Sequence, residues 1–262
     1  MPPPPQAVLV EEESFGTSAT VEALYASMPD GALLSQLLGP GVHVSLIPDQ
    51  DWVRLSQDGL PPVRAGRFFV HGAHAGASSP LGAIPLHIEA GLAFGTGHHE
   101  STALCLATIS ELAKRRRIRN ALDLGCGTGV LAIAMAHLWK ERVIAADIDP
   151  VAVAVARENA QRNRAAPFVR AVVADGLSHP LLVDEAPFDL IVANILAGPL
   201  TRLALSISHA LAPRGMLLLS GLLRWQENLV LAFYRPTGLV QRNIRRDGNW
   251  SALLLERPVL PG

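Results

Sequence analysis

A glycine-rich turn between two acidic residues is the part of this sequence best suited to hold a ligand. Asp123, Gly125, Gly127 and Gly129 occupy every second position of a turn that follows an apolar run and opens a helix-length stretch. Glycine permits left-handed backbone dihedrals and lets a ligand approach the main chain closely. Asp147 ends the next apolar run, about 20 residues further on, where a carboxylate can accept hydrogen bonds from both ribose hydroxyls. The spacing therefore predicts a nucleoside-binding crevice.

The spacing of the glycines also indicates which nucleoside the crevice takes. A dinucleotide fingerprint starting at Gly125 requires glycine or alanine at the position of Val130. The form found here favours S-adenosylmethionine, which has no pyrophosphate to place at a helix N-terminus. Asp175 ends the third apolar run and is positioned to meet an adenine amino group, with helix capping or turn formation as the alternative. For the glycines the alternative is a tight strand-to-helix turn that binds nothing.

Asn194 ends a later apolar run, so we expect it to face the same crevice. An amine attacks only through a free lone pair, and an amide oxygen together with a nearby backbone carbonyl can hold its remaining N–H groups. Deprotonating a lysine at pH 7 costs about 4.6 kcal/mol. Desolvation beside a cationic sulfonium offsets much of this cost, so orientation of the amine matters more than a strong base. The alternative is a strand-end residue that caps the next helix.

The elements that must position these residues follow from the alternation of apolar runs and helix-length stretches after residue 121. Near-continuous apolar runs separated by helices are typical of a parallel sheet covered on both faces, a doubly wound α/β domain. The runs are 121–124, 143–148, 169–174, 190–195 and 216–220, and the helical stretches are 130–138, 150–163 and 199–211. A hairpin-type turn, Asp247-Gly248-Asn249, separates 239–246 from 250–256 and makes the last two strands antiparallel.

The first 90 residues are organised differently. Strands are predicted at 8–12, 21–26 and 42–47 and a helix at 31–38, which together form a small α+β unit. The proline- and glycine-rich stretch that follows has a brief β-like segment at 67–70 and is predicted to be a linker. The expected domains are therefore 1–50, a linker at 51–90, and 91–262.

Composition excludes several classes of protein. With 49% hydrophobic residues and a net charge of −1, the chain has a large core and no bulk attraction to nucleic acid or an anionic membrane. It contains no secretory signal and no apolar segment of about 18 residues, so no membrane association is expected. The two cysteines, Cys105 and Cys126, have no CxxC partner, which fits a reducing cytoplasm. No metal site is expected. The zinc motif H-E-x-x-H, if it began at His99, would require a histidine at position 103, where the chain has Ala103.

Four segments together closely resemble the PrmA family of S-adenosylmethionine-dependent methyltransferases of ribosomal protein L11. They are GLAFGTGHHEST (91–102), LDLGCGTG (122–129), DIDP (147–150) and NILAGPL (194–200). The resemblance covers the chain from about residue 51 to the end. It implies a class I methyltransferase domain, a Rossmann-like seven-stranded sheet with an antiparallel last strand, preceded by a ferredoxin-like domain and a linker. Residues before 51 look like only the later part of that β-α-β-β-α-β domain, so we expect either a changed mode of substrate recognition or a start placed too late.

The resemblance also implies the site residues. Asn194 would be the catalytic residue, although the segment after it lacks the aromatic of an N-P-P-Y motif. The resemblance implies cofactor contacts at Thr102, Gly125, Asp147 and Asn194. The residue pattern itself adds Gly127, Asp175 and the segment with Phe94, Gly95 and Gly97, which is expected to form a loop over the cofactor, with a plain linker turn as the alternative.

The function implied is N-methylation of lysine and α-amino groups of ribosomal protein L11 by a cytoplasmic monomer. Direct nucleic-acid binding is not expected, although the basic run at 114–119 suits either an RNA contact or the solvated end of a helix. Two alternatives remain open. One is a class I methyltransferase acting on another protein, an RNA or a small molecule, and the other is a non-catalytic cofactor-binding assembly protein.

Overall fold

The computed structural model describes residues 7–12, 19–24, 31–39, 62–72, 79–88 and 99–259. The chain forms two compact units, Met1–Trp52 and Val53–Gly262. In the smaller unit, β1 (Ala7–Glu12) and β2 (Ala19–Leu24) form an antiparallel hairpin followed by helix α1 (Gly31–Leu38). These elements were predicted within two residues at each end. The strand predicted at 42–47 lies outside the described residues.

Three short strands lie within the stretch predicted as a linker. They are β3 (Val63–Ala65), β4 (Phe68–His71) and β5 (Ile84–His87), of which β3 and β4 are antiparallel and β4 and β5 parallel. Phe68 and Leu86 are fully buried and belong to the core of the larger unit. This burial makes the small sheet part of the larger unit. The prolines and glycines that suggested a linker lie partly in the turns between its strands.

The larger unit is built on a seven-stranded sheet of order β11-β12-β10-β9-β6-β7-β8. Its strands are β6 (Asn120–Leu124), β7 (Arg142–Asp147), β8 (Val169–Val173), β9 (Phe188–Asn194), β10 (Leu211–Leu223), β11 (Val240–Asp247) and β12 (Trp250–Glu256). The pairs formed among β6 to β10 are parallel, whereas β12 pairs antiparallel with both β10 and β11. The α/β class and the antiparallel last strand are therefore confirmed.

Helices cover both faces of this sheet. They are α2 (His99–Leu112), α3 (Val130–Trp139), α4 (Pro150–Arg162), α5 (Pro180–Glu185), α6 (Ala197–Arg202), α7 (Ala204–Ala210) and α8 (Glu227–Tyr234). One apolar cluster packs α2, α3 and α4 against the sheet, and a second packs α5 to α8 against the other face. The prediction of a single helix at 199–211 is wrong. Leu203 has non-helical dihedrals and divides α6 from α7. Leu211 begins β10 and pairs with Phe188 on β9.

The topology places a crevice at the carboxyl ends of the central strands. β6 lies between β7 and β9, so the chain leaves β6 toward one neighbour and later returns on the other side. In open α/β sheets the connections diverge at such a point, and ligands bind there beyond the carboxyl ends of the strands. The glycine turn after β6, Asp147 at the end of β7 and Asn194 at the end of β9 all lie at this edge.

Candidate active site

The glycine turn joins β6 to α3 in a conformation that ordinary residues rarely adopt. Gly125, Gly127 and Gly129 have φ angles of +73°, +52° and +78°. The backbone N–H groups of Gly125 and Cys126 both donate to the carbonyl of Ala146 on β7, at 2.8 and 3.0 Å. The turn is thereby fixed to the end of the neighbouring strand, and its geometry is held by the protein itself.

The space around the three glycines separates packing from ligand access. A Cβ on Gly125 would lie 2.2 Å from Cγ2 of Ile195, and one on Gly129 would lie 3.0 Å from Cβ of Ala156. These two glycines allow close approach of the next loop and of α4. A Cβ on Gly127 would meet nothing within 4 Å. Of the three, Gly127 therefore faces open space in the described structure, where a ligand can contact its backbone.

Asp147 lies directly against this turn, as predicted from its spacing. Its Oδ2 accepts a hydrogen bond from Gly127 N at 2.8 Å, and its Oδ1 accepts one from Asp149 N at 3.0 Å. A carboxylate has about four acceptor positions, so each oxygen keeps a lone pair for a hydroxyl group. The side chain is partly exposed. Asp147 can therefore hold the glycine turn in place and accept hydrogen bonds from a ribose at the same time.

Asn194 pairs with a side chain that is 92 positions away in the chain. Its Nδ2 donates to Oγ1 of Thr102, near the start of α2, at 3.2 Å. Its Oδ1 is buried and has no hydrogen-bond partner among the described residues. Asn194 does not cap the following helix, because the N-cap of α6 is Leu196 and no side chain bonds there. The threonine thus orients the amide, and one acceptor remains available.

The start of α2 is tied to the sheet beside this pair. Ser220 lies opposite Asn194 on β10, and its hydroxyl lies within hydrogen-bond distance of the carbonyls of Ser101 and Ser251. Gly221 has a φ of +77°, and a Cβ there would lie 2.6 Å from the Ile195 carbonyl oxygen. Sequence analysis missed Ser220 and Gly221. A glycine inside an apolar strand was the available signal, since it often marks a close approach of two backbones.

Asp175 and the segment with Phe94, Gly95 and Gly97 complete the set of predicted cofactor-binding residues. Asp175 lies two residues beyond β8, is exposed, and does not cap α5, whose N-cap is His179. An exposed carboxylate at this edge is compatible with a ligand contact. Phe94, Gly95 and Gly97 lie outside the described residues, so their role stays a prediction.

Burial determines the ionisation of the groups beneath the turn. Desolvation raises the pKa of the Cys105 thiol to about 12 and raises that of Cys126 strongly. Neither cysteine is thus a thiolate at neutral pH. Asp123, to which sequence analysis assigned no role of its own, is 1% exposed, and burial raises its pKa to about 7.

The family model of PrmA, ribosomal protein L11 methyltransferase, matches residues 9–258 of this chain. The chain belongs to this family. Two PrmA relatives, both named ribosomal protein L11 methyltransferase, come from Brucella suis (strain ATCC 23445 / NCTC 10510) and Caulobacter sp. (strain K31). The first is 47% identical over 95% of this chain and 84% of its own length. The second is 45% identical over 96% of this chain and 88% of its own length.

A solved structure supports the same grouping. The crystal structure of ribosomal protein L11 methylase from Lactobacillus delbrueckii subsp. bulgaricus is similar to this chain with a TM-score of 0.63 at 26% identity. The similarity covers 76% of this chain and 98% of that one. The PrmA match begins at residue 9, so it extends beyond the region from about 51 onward in which the motifs are found.

No described helix is long and apolar enough to cross a bilayer.

Proposed function

We propose that this chain transfers methyl groups from S-adenosylmethionine to amino groups of ribosomal protein L11. The family and the names of its relatives supply the substrate. The observation that supports the chemistry is the Asn194 amide, which Thr102 holds by its nitrogen and whose buried oxygen has no partner among the described residues. Asn194 lies at the carboxyl ends of the central strands, where the glycine turn and Asp147 also lie.

The residues present fit this cofactor. Asp147 would accept the ribose hydroxyls, and the open face of Gly127 would let the amino-acid arm approach the backbone. Gly125, Thr102 and Asn194 would complete the described part of the site. Phe94, Gly95 and Gly97 would cover it, and Asp175 would contact the adenine. When bound, S-adenosylmethionine supplies a methyl group on a positively charged sulfonium, which is already activated for attack by a neutral amine.

The task of the chain's own residues is to present that amine correctly. Asn194 Oδ1 accepts one N–H of the amine and so directs its lone pair. Thr102 prevents the amide from rotating. Removing the amine's proton at pH 7 costs about 4.6 kcal/mol, and a desolvated pocket beside a positive charge lowers the amine pKa and offsets much of this cost. No described thiol acts as a nucleophile, since Cys126 is held in its neutral form.

The test is the substitution Asn194→Ala, with Asn243→Ala on the exposed edge strand as the matched control. We expect turnover to fall about 100-fold, a typical cost of misplacing a reacting group. The dissociation constant of S-adenosylmethionine, measured by calorimetry, should change much less. Loss of cofactor binding with unchanged turnover per bound complex would contradict the orienting role. Parallel reactions with purified ribosomal protein L11, total RNA and a metabolite extract identify the substrate class.

We further propose that the enzyme is a cytoplasmic monomer that does not bind nucleic acid directly. Cys105 and Cys126 are free and buried, as suits a reducing compartment. Four of the five basic side chains in the run at 114–119 form ion pairs with carboxylates. Glu111 pairs with Lys114 and Arg115, and Glu256 and Glu141 pair with Arg116 and Arg117. Light scattering and a salt-dependent RNA-binding assay test these statements.

A further inference from the structure

Asp123 is a buried carboxyl group for which the mechanism above has no use. It lies on β6, two residues before the glycine turn, and is 1% exposed. Its Oδ2 accepts a hydrogen bond from Ala132 N in the first turn of α3 at 2.9 Å. Its Oδ1 is buried and has no hydrogen-bond partner among the described residues. One backbone N–H is poor compensation for a fully desolvated negative charge.

The groups around Asp123 favour its neutral form. Opposite it on the neighbouring strands lie Ala145 and Val192, which are apolar. The nearby thiols of Cys105 and Cys126 stay protonated and carry no charge. No basic side chain among the described residues contributes to the shift in the pKa of Asp123. Desolvation is the main reason that its pKa lies near 7, with the Ala132 N–H opposing it.

Charged groups in the crevice also shift the pKa of Asp123. The negative charge of Asp147, whose carboxylate accepts a hydrogen bond from Gly127 N in the glycine turn, raises the pKa of Asp123 further. A positive charge placed in the same crevice must act in the opposite direction. The proposed methyl donor provides such a charge. Its sulfonium, ammonium and carboxylate sum to +1, whereas the product thioether has lost the sulfonium charge and is neutral overall.

We propose that Asp123 is a specificity-determining residue that is partly protonated in the free protein and releases its proton to solvent when the cationic methyl donor binds. The ionised carboxylate then stabilises the donor more than the neutral product, so the crevice favours exchange of product for fresh donor. This inference rests on the proposed function, because it takes S-adenosylmethionine as the ligand. It assigns Asp123 a role in selecting the ligand and no direct part in the transfer step.

The size of the effect follows from proton linkage. A group that is half protonated at pH 7 and ionised in the complex releases about half a proton per ligand at pH 7 and about a tenth at pH 8. Below pH 7 the donor must displace a whole proton. Its dissociation constant should therefore be about tenfold higher at pH 6 than at pH 8. For the neutral product the corresponding change should be smaller.

The experiment is calorimetric titration of the full chain with S-adenosylmethionine and with S-adenosylhomocysteine at pH 6, 7 and 8. Each titration is run in two buffers of different ionisation enthalpy, which gives the number of protons released. The variant is Asp123→Asn, which keeps an acceptor for Ala132 N but cannot ionise. The control is Asp184→Asn, an exposed carboxylate on α5. The ligand's own amine titrates with every protein, so differences between proteins isolate Asp123.

Beyond the protons released by the ligand's own amine, we expect proton release and a pH-dependent preference for the donor in the wild type and in Asp184→Asn, but not in Asp123→Asn. If Asp123→Asn does not fold, the wild-type comparison of donor with product decides by itself. Equal pH dependence for both ligands, or unchanged proton release in Asp123→Asn, overturns the inference while the proposed function stands. Absence of donor binding by the wild type at every pH overturns the proposed function instead.

Discussion

Alanine substitutions at Gly125 and at Gly127 should differ in their effects on stability and on cofactor binding. Alanine costs about 1–2 kcal/mol at either position, because both have left-handed dihedrals. At Gly125 the new Cβ would lie 2.2 Å from Ile195 Cγ2, whereas ordinary van der Waals contact begins at 3.4 Å. Overpacking of this kind costs a further 1–3 kcal/mol or so. At Gly127 the Cβ enters open space. Gly125→Ala should therefore be less stable than Gly127→Ala by about 2 kcal/mol.

Cofactor binding should show the reverse order. The methyl group of Gly127→Ala would occupy the space proposed for the cofactor, so the dissociation constant of S-adenosylmethionine should rise about tenfold or more, equivalent to at least about 1.4 kcal/mol. The double variant Gly125→Ala/Ile195→Ala removes the clashing Cγ2 and should recover about 1–2 kcal/mol relative to the sum of the single variants.

Urea and thermal unfolding measure stability, and calorimetry measures binding. A difference of about 2 kcal/mol corresponds to a shift of about 4 °C in Tm for a chain of this size. Ile195→Ala alone completes the double-mutant cycle. Equal destabilisation by the two alanines, or additive behaviour of Gly125→Ala and Ile195→Ala, would show that the turn is not packed against Ile195 as described.

Three further predictions concern the Thr102–Asn194 pair, the Glu227–Arg246 ion pair and the substrate amine. Thr102→Val should lower kcat about tenfold with little change in the KM for S-adenosylmethionine, because the amide of Asn194 loses its hydrogen-bond partner. Thr102→Ser keeps the hydroxyl and should restore kcat. The control Thr108→Val breaks only a hydrogen bond within the same helix and should leave kcat unchanged. Hydrogen bonds from Arg246 hold the pKa of Glu227 below its usual range, so its stabilisation is present above the unfolded-state pKa and is lost as pH falls through the folded-state pKa. In urea unfolding, Glu227→Gln should be less stable than the wild type by about 1–2 kcal/mol at pH 7, and the difference should disappear as the pH falls through the lowered folded-state pKa. At saturating cofactor, kcat/KM for ribosomal protein L11 should climb between about pH 7 and 9, and a flat profile would argue against a neutral amine as the attacking group.

Local constraints made much of the fold predictable. The apolar runs and the helix-length stretches between them depend on neighbouring residues, and five of the seven strands of the main sheet were located from them before the hairpin turn at 247–249 added the last two. The glycine turn was predictable for the same reason, since its dihedrals are a property of a few consecutive residues. The break between α6 and α7 was not, because the residues from 199 to 211 keep a helical apolar pattern across it.

The small sheet β3-β4-β5 shows what local reasoning lacks. Its strands are three or four residues long and are separated by prolines and glycines, which in isolation indicate a linker. They are stable because Phe68 and Leu86 are buried in the core shared with α2 and α3. That burial depends on residues far away in the chain, and no window of sequence contains it.

The same division holds for the site. The sequence by itself determined the identities and spacing of Gly125, Gly127 and Asp147, because ligand approach to a backbone turn and the reach of a carboxylate at the next strand end are short-range requirements. Only the tertiary structure decided that Thr102 orients Asn194 across 92 positions and that Asp123 is sealed from water with one oxygen unpaired. Hydrogen-bond geometry and desolvation depend on the packing of separate strands and helices, and a linear pattern of residue types does not contain that information.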